Sequence, residues 1–183
     1  MCNEEQLIKK CKKNDRNAQK LLYQKYAALL LGICMRYSNN YSEAEDILQE
    51  GFCKILMKIS QYKSKGSFEG WMKRIMVNTA ITMFKKNCKH YQMQNIDEIV
   101  ESDFNNQHEE EPEFSQEELL KIINSLPDGY RMVFNLYAVE GYKHREIASM
   151  LDIDENTSKS QYSRARKIIQ KKLNELKKEK SVA

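Results

Sequence analysis

The chain has 183 residues, a formal net charge of +4, 41% hydrophobic residues, two prolines and six glycines. That length suits one or two small domains, and few helix breakers beside abundant Lys, Glu, Leu and Ile favour an all-helical protein. No apolar run is long enough to span a bilayer, and the acidic start Met1-Cys2-Asn3-Glu4-Glu5 does not read as a signal peptide, so a cytoplasmic protein without membrane insertion is expected.

Five cysteines (Cys2, Cys11, Cys34, Cys53, Cys88) are scattered without a Cys-x-x-Cys pair, and the three histidines are far apart. Free buried thiols in a reducing compartment are expected rather than a metal site or disulfides, with Cys34 and Cys53 as small core residues. No cofactor is implied. The charge is strongly segregated. Residues 1–90 carry seventeen Lys/Arg against eight Asp/Glu, residues 91–113 none against eight, and residues 114–183 thirteen against ten. Two basic domains, 1–90 and 114–183, flanking an acidic linker, 91–113, suit a protein that touches a polyanion at two places.

In chain order, Glu4 to Lys13 reads as a short opening helix, and Asp15 can cap a longer one. In that second helix Ala18, Leu21, Leu22, Tyr26, Leu29, Leu30 and Ile33 recur at helical spacing and read as core. Asn39-Asn40-Tyr41 marks a turn. Ser42-Glu43-Ala44-Glu45 reads as a capping box opening a helix whose Ile47, Leu48, Ile55, Leu56 and Ile59 face inward. Beside Phe52 on the same helix, Asp46, Gln49, Glu50 and Cys53 follow an i, i+3, i+4, i+7 pattern. A solvated face is the simplest account of this stripe, but an acidic ridge in a basic domain also suits a basic protein partner.

Tyr62-Lys63-Ser64-Lys65-Gly66-Ser67-Phe68 is a basic loop with flanking aromatics, leading into a helix from about Phe68 to Cys88. Trp71, Met72, Ile75 and Met76 are available for packing there, with Arg74, Asn78 and Lys85 on another side. These are parts for gripping single-stranded DNA, since rings stack on unpaired bases and cations hold the backbone. The competing account puts Phe68 and Trp71 in the core, which is the reading preferred for Trp71.

From Tyr91 to Glu113 the apolar period is lost. Ser115-Gln116-Glu117-Glu118 is a further capping box, opening a helix with Leu119, Leu120, Ile122 and Ile123. Pro127 begins the next, with Met132, Val133, Leu136 and Val139 inward, ending at Gly141. Glu146 to Leu151 places apolar residues one turn apart. Asp152 can adopt the left-handed turn conformation, and Asp154 can cap the following helix. The result is a helix-turn-helix whose second helix shows Lys159, Ser160, Ser163, Arg164 and Lys167, fit for a major groove.

Both halves together resemble one family. Leu126-Pro127-Asp128-Gly129-Tyr130-Arg131-Met132-Val133-Phe134, Val139-Glu140-Gly141-Tyr142, Glu146-Ile147-Ala148 and Ser163-Arg164-Ala165-Arg166 resemble the C-terminal domain of extracytoplasmic-function sigma factors of bacterial RNA polymerase. Glu45-Asp46-Ile47-Leu48-Gln49-Glu50-Gly51-Phe52 and Phe68-Glu69-Gly70-Trp71-Met72-Lys73-Arg74-Ile75-Met76-Val77-Asn78 are similar to the first domain of that family.

The resemblance implies a dissociable promoter-specificity subunit with no catalytic residues of its own. Its first domain would bind a coiled coil of the polymerase's largest subunit through Asp46, Gln49, Glu50 and Phe52. It would open the −10 element with Tyr62, Lys63, Lys65, Ser67, Phe68, Arg74 and Asn78 around a flipped base. Its second domain would read the −35 duplex with Lys159, Ser160, Ser163 and Arg164, while Arg166 and Lys167 hold phosphates. An anti-sigma partner is a further family expectation. Asp152 stands where the family often has glycine, Ser158 where an apolar residue is usual, and Gln161 where a basic one is common. These departures bear on packing of the recognition helix and on promoter sequence, not on the role.

A spacer of roughly seventeen base pairs at about 3.4 Å each separates the two elements by about 58 Å. The linker reaches about 80 Å when extended but about 26 Å as a coil, so it must be drawn out when both domains dock. Its carboxylates suit a basic polymerase channel, and equally a solvated spacer. A stand-alone repressor or response regulator would leave the N-terminal half idle, and the alternating strands and helices of a receiver domain are missing. A nucleic-acid enzyme would need a phosphate loop, metal-binding carboxylates or a Cys/His constellation, none of which the sequence offers.

Overall fold

The computed structural model describes residues 4–91 and 114–182, with side chains for 4–87 and 114–180. The acidic segment 92–113 lies outside the described residues. Those residues hold helices and turns and no strand: α1 Glu4–Cys11, α2 Arg16–Met35, α3 Tyr41–Lys58, α4 Phe68–Tyr91, α5 Gln116–Asn124, α6 Asp128–Phe134, α7 His144–Leu151 and α8 Glu155–Val182. The protein is all-α, in two compact units, Met1–Asn87 and Cys88–Ala183.

In the first unit α2 packs along α3, and α1 packs on α2. Asp15 Oδ1 accepts from the Ala18 amide at 3.0 Å and starts α2. The core holds Leu22, Leu30, Ile33, Ile47, Ile55, Met72 and Met76, all nearly or fully buried. Leu21 and Leu29, expected in this core, are 50% and 41% exposed.

The start of α3 also differs from the expected capping box at Ser42. Asn40 is the cap: its Oδ1 accepts from the Glu43 amide at 2.8 Å, and Glu43 reaches back to the Asn39 amide at 2.8 Å. Asn at that position satisfies the free helical amides as well as Ser does, so the helix begins earlier. Gly51 of α3 abuts the Met76 side chain of α4. A Cβ there would lie 2.4 Å from the Met76 sulfur, and Met76 is fully buried.

In the second unit Ser115 and Glu118 form the expected reciprocal box, at 3.2 and 2.8 Å. Arg131 is 3% exposed and ties α6 to the end of α5. It pairs with Asp128 at 2.7 Å and donates to the Asn124 carbonyl at 2.9 Å. After Phe134 the helix widens into a π-turn over Asn135–Val139, which leaves Val139 43% exposed rather than inward. Leu126, Tyr130 and Ala165 form a buried cluster under Phe134, Ile168 and Ile169, which seats α8 on α6.

The turn of the helix-turn-helix forms as expected. Asp152 is left-handed, φ 57° and ψ 46°, and the Ile153 amide bonds back to the Ala148 carbonyl at 3.1 Å. Asp154 stands just before α8, its carbonyl accepting from the Ser158 amide at 3.0 Å.

Candidate protein and nucleic-acid interfaces

On α3 the spacing of Asp46, Gln49, Glu50 and Cys53 puts all four at the surface. Glu50 pairs with Lys54 at 2.6 Å on the same helix. Cys53 is exposed, against the expectation of a buried thiol, because it continues the polar stripe; Cys11 and Cys34 are buried. Burial pushes the Cys34 thiol up to about 12, so it stays protonated and unreactive. Phe52, assigned to the same face, is 6% exposed and packs edge-on against Tyr23 at 4.9 Å. It supports the stripe from beneath. Tyr23, 40% exposed, is the aromatic that reaches solvent there, and sequence periodicity alone did not single it out.

The basic loop is built on aromatics that it does not display. Tyr62 is 8% and Phe68 2% exposed, so neither ring is open to stack on a base as expected. Aromatic side chains are large apolar groups, and closing them against one another at the base of this loop removes their surface from water. Tyr62 lies 5.0 Å from Phe68, and Phe68 stacks on Trp71 at 5.5 Å and 20°. Trp71, preferred as core, is only partly buried and is the outermost ring of this stack. The Tyr62 hydroxyl donates to the Gly66 carbonyl at 2.6 Å, and Gly66 has φ +98°, open to glycine at little cost. Lys63, Lys65 and Ser67 are exposed on the loop, and Ser67 Oγ accepts from the Gly70 amide at 3.2 Å. Arg74 and Asn78 are exposed one turn apart on α4.

On α8, Lys159, Ser160, Ser163, Arg166 and Lys167 fall within about 120° of one another at about 100° per residue. All but the half-buried Lys167 are exposed. Lys159 pairs with Glu155 at 2.7 Å, which holds that carboxyl below its usual range. Arg164 lies beyond this face and donates to the Tyr130 hydroxyl at 3.3 Å, so its guanidinium is anchored to α6.

Behind the face, Ser158 is fully buried and its Oγ lies 3.0 Å from His144 Nδ1. His144 stacks on Tyr137 at 4.3 Å and meets Tyr162 edge-on at 5.7 Å. The polar residue at an ordinarily apolar position is therefore partnered rather than loosely packed. Desolvation, followed by the charge of Lys159, lowers the His144 pKa. Among the described residues no group of His, Cys, Asp and Glu is placed to hold a metal, and no helix is long and apolar enough to cross a membrane.

Comparison with known proteins matches both units. The Sigma-70 region 2 family matches residues 22–89, and the Sigma-70 region 4 family residues 116–169. The chain belongs to the extracytoplasmic-function sigma factors. It is 27% identical over 183 residues to the RNA polymerase sigma-H factor of Pseudomonas aeruginosa, covering 94% of this chain and 95% of that one. It is 28% identical over 180 residues to the ECF RNA polymerase sigma-E factor of Escherichia coli K12, covering 93% and 94%. In fold it is similar to the sigma factor RpoE solved with the anti-sigma factor NepR from Bartonella quintana. That likeness has a TM-score of 0.50 at 20% identity, over 85% of this chain and 96% of that one. As a sigma factor, the protein gives RNA polymerase its promoter specificity and starts transcription.

Proposed function

We propose that the two units divide promoter recognition as follows. Domain 1–90 binds core polymerase through the exposed Asp46, Gln49 and Glu50 of α3, with Tyr23 beside them and Phe52 as their support. The same domain takes unpaired −10 DNA along Lys63, Lys65, Ser67, Arg74 and Asn78, with Trp71 as the stacking ring and Tyr62 and Phe68 shaping the loop. Flipping a base costs a few kcal/mol, so a preformed loop is needed to offset it. Domain 114–183 reads duplex −35 DNA with Lys159, Ser160 and Ser163, and holds phosphates with Arg166 and Lys167; Arg164 contacts DNA from its seat on Tyr130. The linker 91–113 joins them.

The observation that carries this reading is the order of the two sigma regions in one chain, each presenting an exposed polar helix face. The protein works in the cytoplasm without catalysing a reaction itself, and it has an anti-sigma factor as a partner, as the similar RpoE was solved in complex with the anti-sigma factor NepR. Run-off transcription with purified core polymerase tests the proposal. Promoter-directed product from genomic templates is expected, and no product together with no binding to core would refute it.

A further inference from the structure

We infer that Tyr130 is a positioning residue for promoter readout: its hydroxyl holds the Arg164 guanidinium so that the open edge meets a guanine in the −35 major groove. The inference rests on the proposed DNA contact of Arg164. Tyr130 is 4% exposed on α6 and shares a buried cluster with Leu126 and with Ala165, the residue that follows Arg164 on α8. The helix carrying it is pinned in turn, because Arg131 ties α6 to the end of α5 through Asp128 and the Asn124 carbonyl. The Tyr130 ring is therefore enclosed, and its oxygen is a fixed point for whatever bonds to it.

Arg164 bonds to it, Nη1 donating at 3.3 Å across 34 residues of sequence. Arg164 is exposed and stands about 40° past Ser160 around α8, at the edge of the DNA face. A guanidinium carries five N–H donors in one plane, and with Nη1 engaged the Nε–Nη2 edge stays open. Its two donors match the O6 and N7 acceptors of guanine. Among the described residues, Arg164 is the one −35 cation whose side chain is tied to another helix; Lys159 pairs with Glu155 inside α8. A phosphate accepts a mobile cation, whereas a base edge demands one plane and one register. The tether supplies that plane before DNA arrives, so less side-chain freedom is lost on binding guanine, and nothing is gained on a base that Arg164 does not engage.

The test uses holoenzyme assembled from the full chain and core polymerase. The probe is a fluorescent duplex of a promoter active in the run-off assay, with each −35 base pair substituted in turn. Wild-type protein should show one position where replacing a G·C pair weakens binding about five- to 150-fold, and Arg164→Ala should erase that preference. Tyr130→Phe keeps the ring and loses the hydroxyl. It should bind the guanine promoter about three- to tenfold more weakly and the promoters substituted at that position as wild type does. Its salt slope should not change, since no charge is removed. Tyr130→Phe combined with Arg164→Ala should bind as Arg164→Ala alone. If Tyr130→Phe keeps the wild-type preference, or weakens every promoter equally, while Arg164→Ala erases the preference, Tyr130 is a packing residue only and the Arg164 contact stands. If Arg164→Ala erases no preference, or the position it governs is not a G·C pair, the base contact fails and the inference with it.

Discussion

Ser158→Ala removes one hydroxyl from a site with no exposed surface, 3.0 Å from His144 Nδ1. A hydrogen bond of this kind contributes about 0.5–1.5 kcal/mol net, and a buried group left without its partner costs about 1–3 kcal/mol. His144 is only half-buried, so its nitrogen recovers part of its hydration, and the expected loss is about 1–2 kcal/mol. The pair joins the first helix of the helix-turn-helix to the second, so the loss should appear as faster amide exchange in α7 and α8. Residues of the N-terminal unit should be unaffected. The same cluster predicts a pH dependence. Burial and the Lys159 charge depress the folded His144 pKa below 6.5, so the unfolded chain takes up the proton first. The stability that neutral His144 contributes is present above pH 6.5 and is lost as pH falls through the lower folded value. His144→Phe keeps a ring against Tyr137 and should abolish that acid-side slope. Hydrogen exchange with urea titration from pH 5 to 8 measures both effects. Unchanged α7 and α8 protection in Ser158→Ala, with the slope kept in His144→Phe, would refute the idea that this pair seats the recognition helix.

Asp46→Lys should abolish binding to core polymerase with the helical content retained; unchanged affinity would return the α3 stripe to a plain solvated face. Gly51→Ala gains up to about 1 kcal/mol of helix propensity but drives a Cβ into the boxed-in Met76 sulfur at a cost of about 1–3 kcal/mol, so a net loss is expected by urea denaturation. Arg164→Ala should weaken −35 binding by about 1–3 kcal/mol and relax one base position if the guanidinium reads a base. Equal weakening on every sequence would make it a phosphate contact. Asp152→Gly should leave stability within about 0.5 kcal/mol, whereas Asp152→Val should cost about 2 kcal/mol, because a β-branched residue does not tolerate φ 57°.

Helix periods, the caps at Asp15 and Ser115 and the Asp152 turn were legible in the sequence because each is set by residues within one turn of one another. The surface faces of Asp46, Gln49 and Glu50, and of Lys159, Ser160 and Ser163, follow from the same periodicity. The aromatic residues were not legible in this way. Phe52, Tyr62 and Phe68 stand beside polar or basic residues, which reads as a binding surface. Whether a ring faces out depends on what another helix places against it: Tyr23 for Phe52, and Tyr26 for Phe68. The cap at Asn40 was missed for a related reason. Asn40 and Ser42 both offer a capping oxygen, and only the backbone path decides between them.

This division between outer polar groups and inner rings bears on how the faces work. Exposed Lys, Arg, Ser and Asp side chains on a helix have many rotamers, and holding them for a partner costs side-chain entropy on each binding event. Rings beneath them reduce only the motion of the backbone that carries them. Phe52 fixes α3 against α2, the Tyr62, Phe68 and Trp71 stack fixes the loop, and the His144, Tyr137 and Tyr162 stack fixes α8 against α7. Replacing an inner ring should therefore weaken every partner of that face in parallel, with little change in salt slope. Replacing an outer cation should change the slope by about the share of one phosphate. The two kinds of residue are separable by one salt titration, without a structure of any complex.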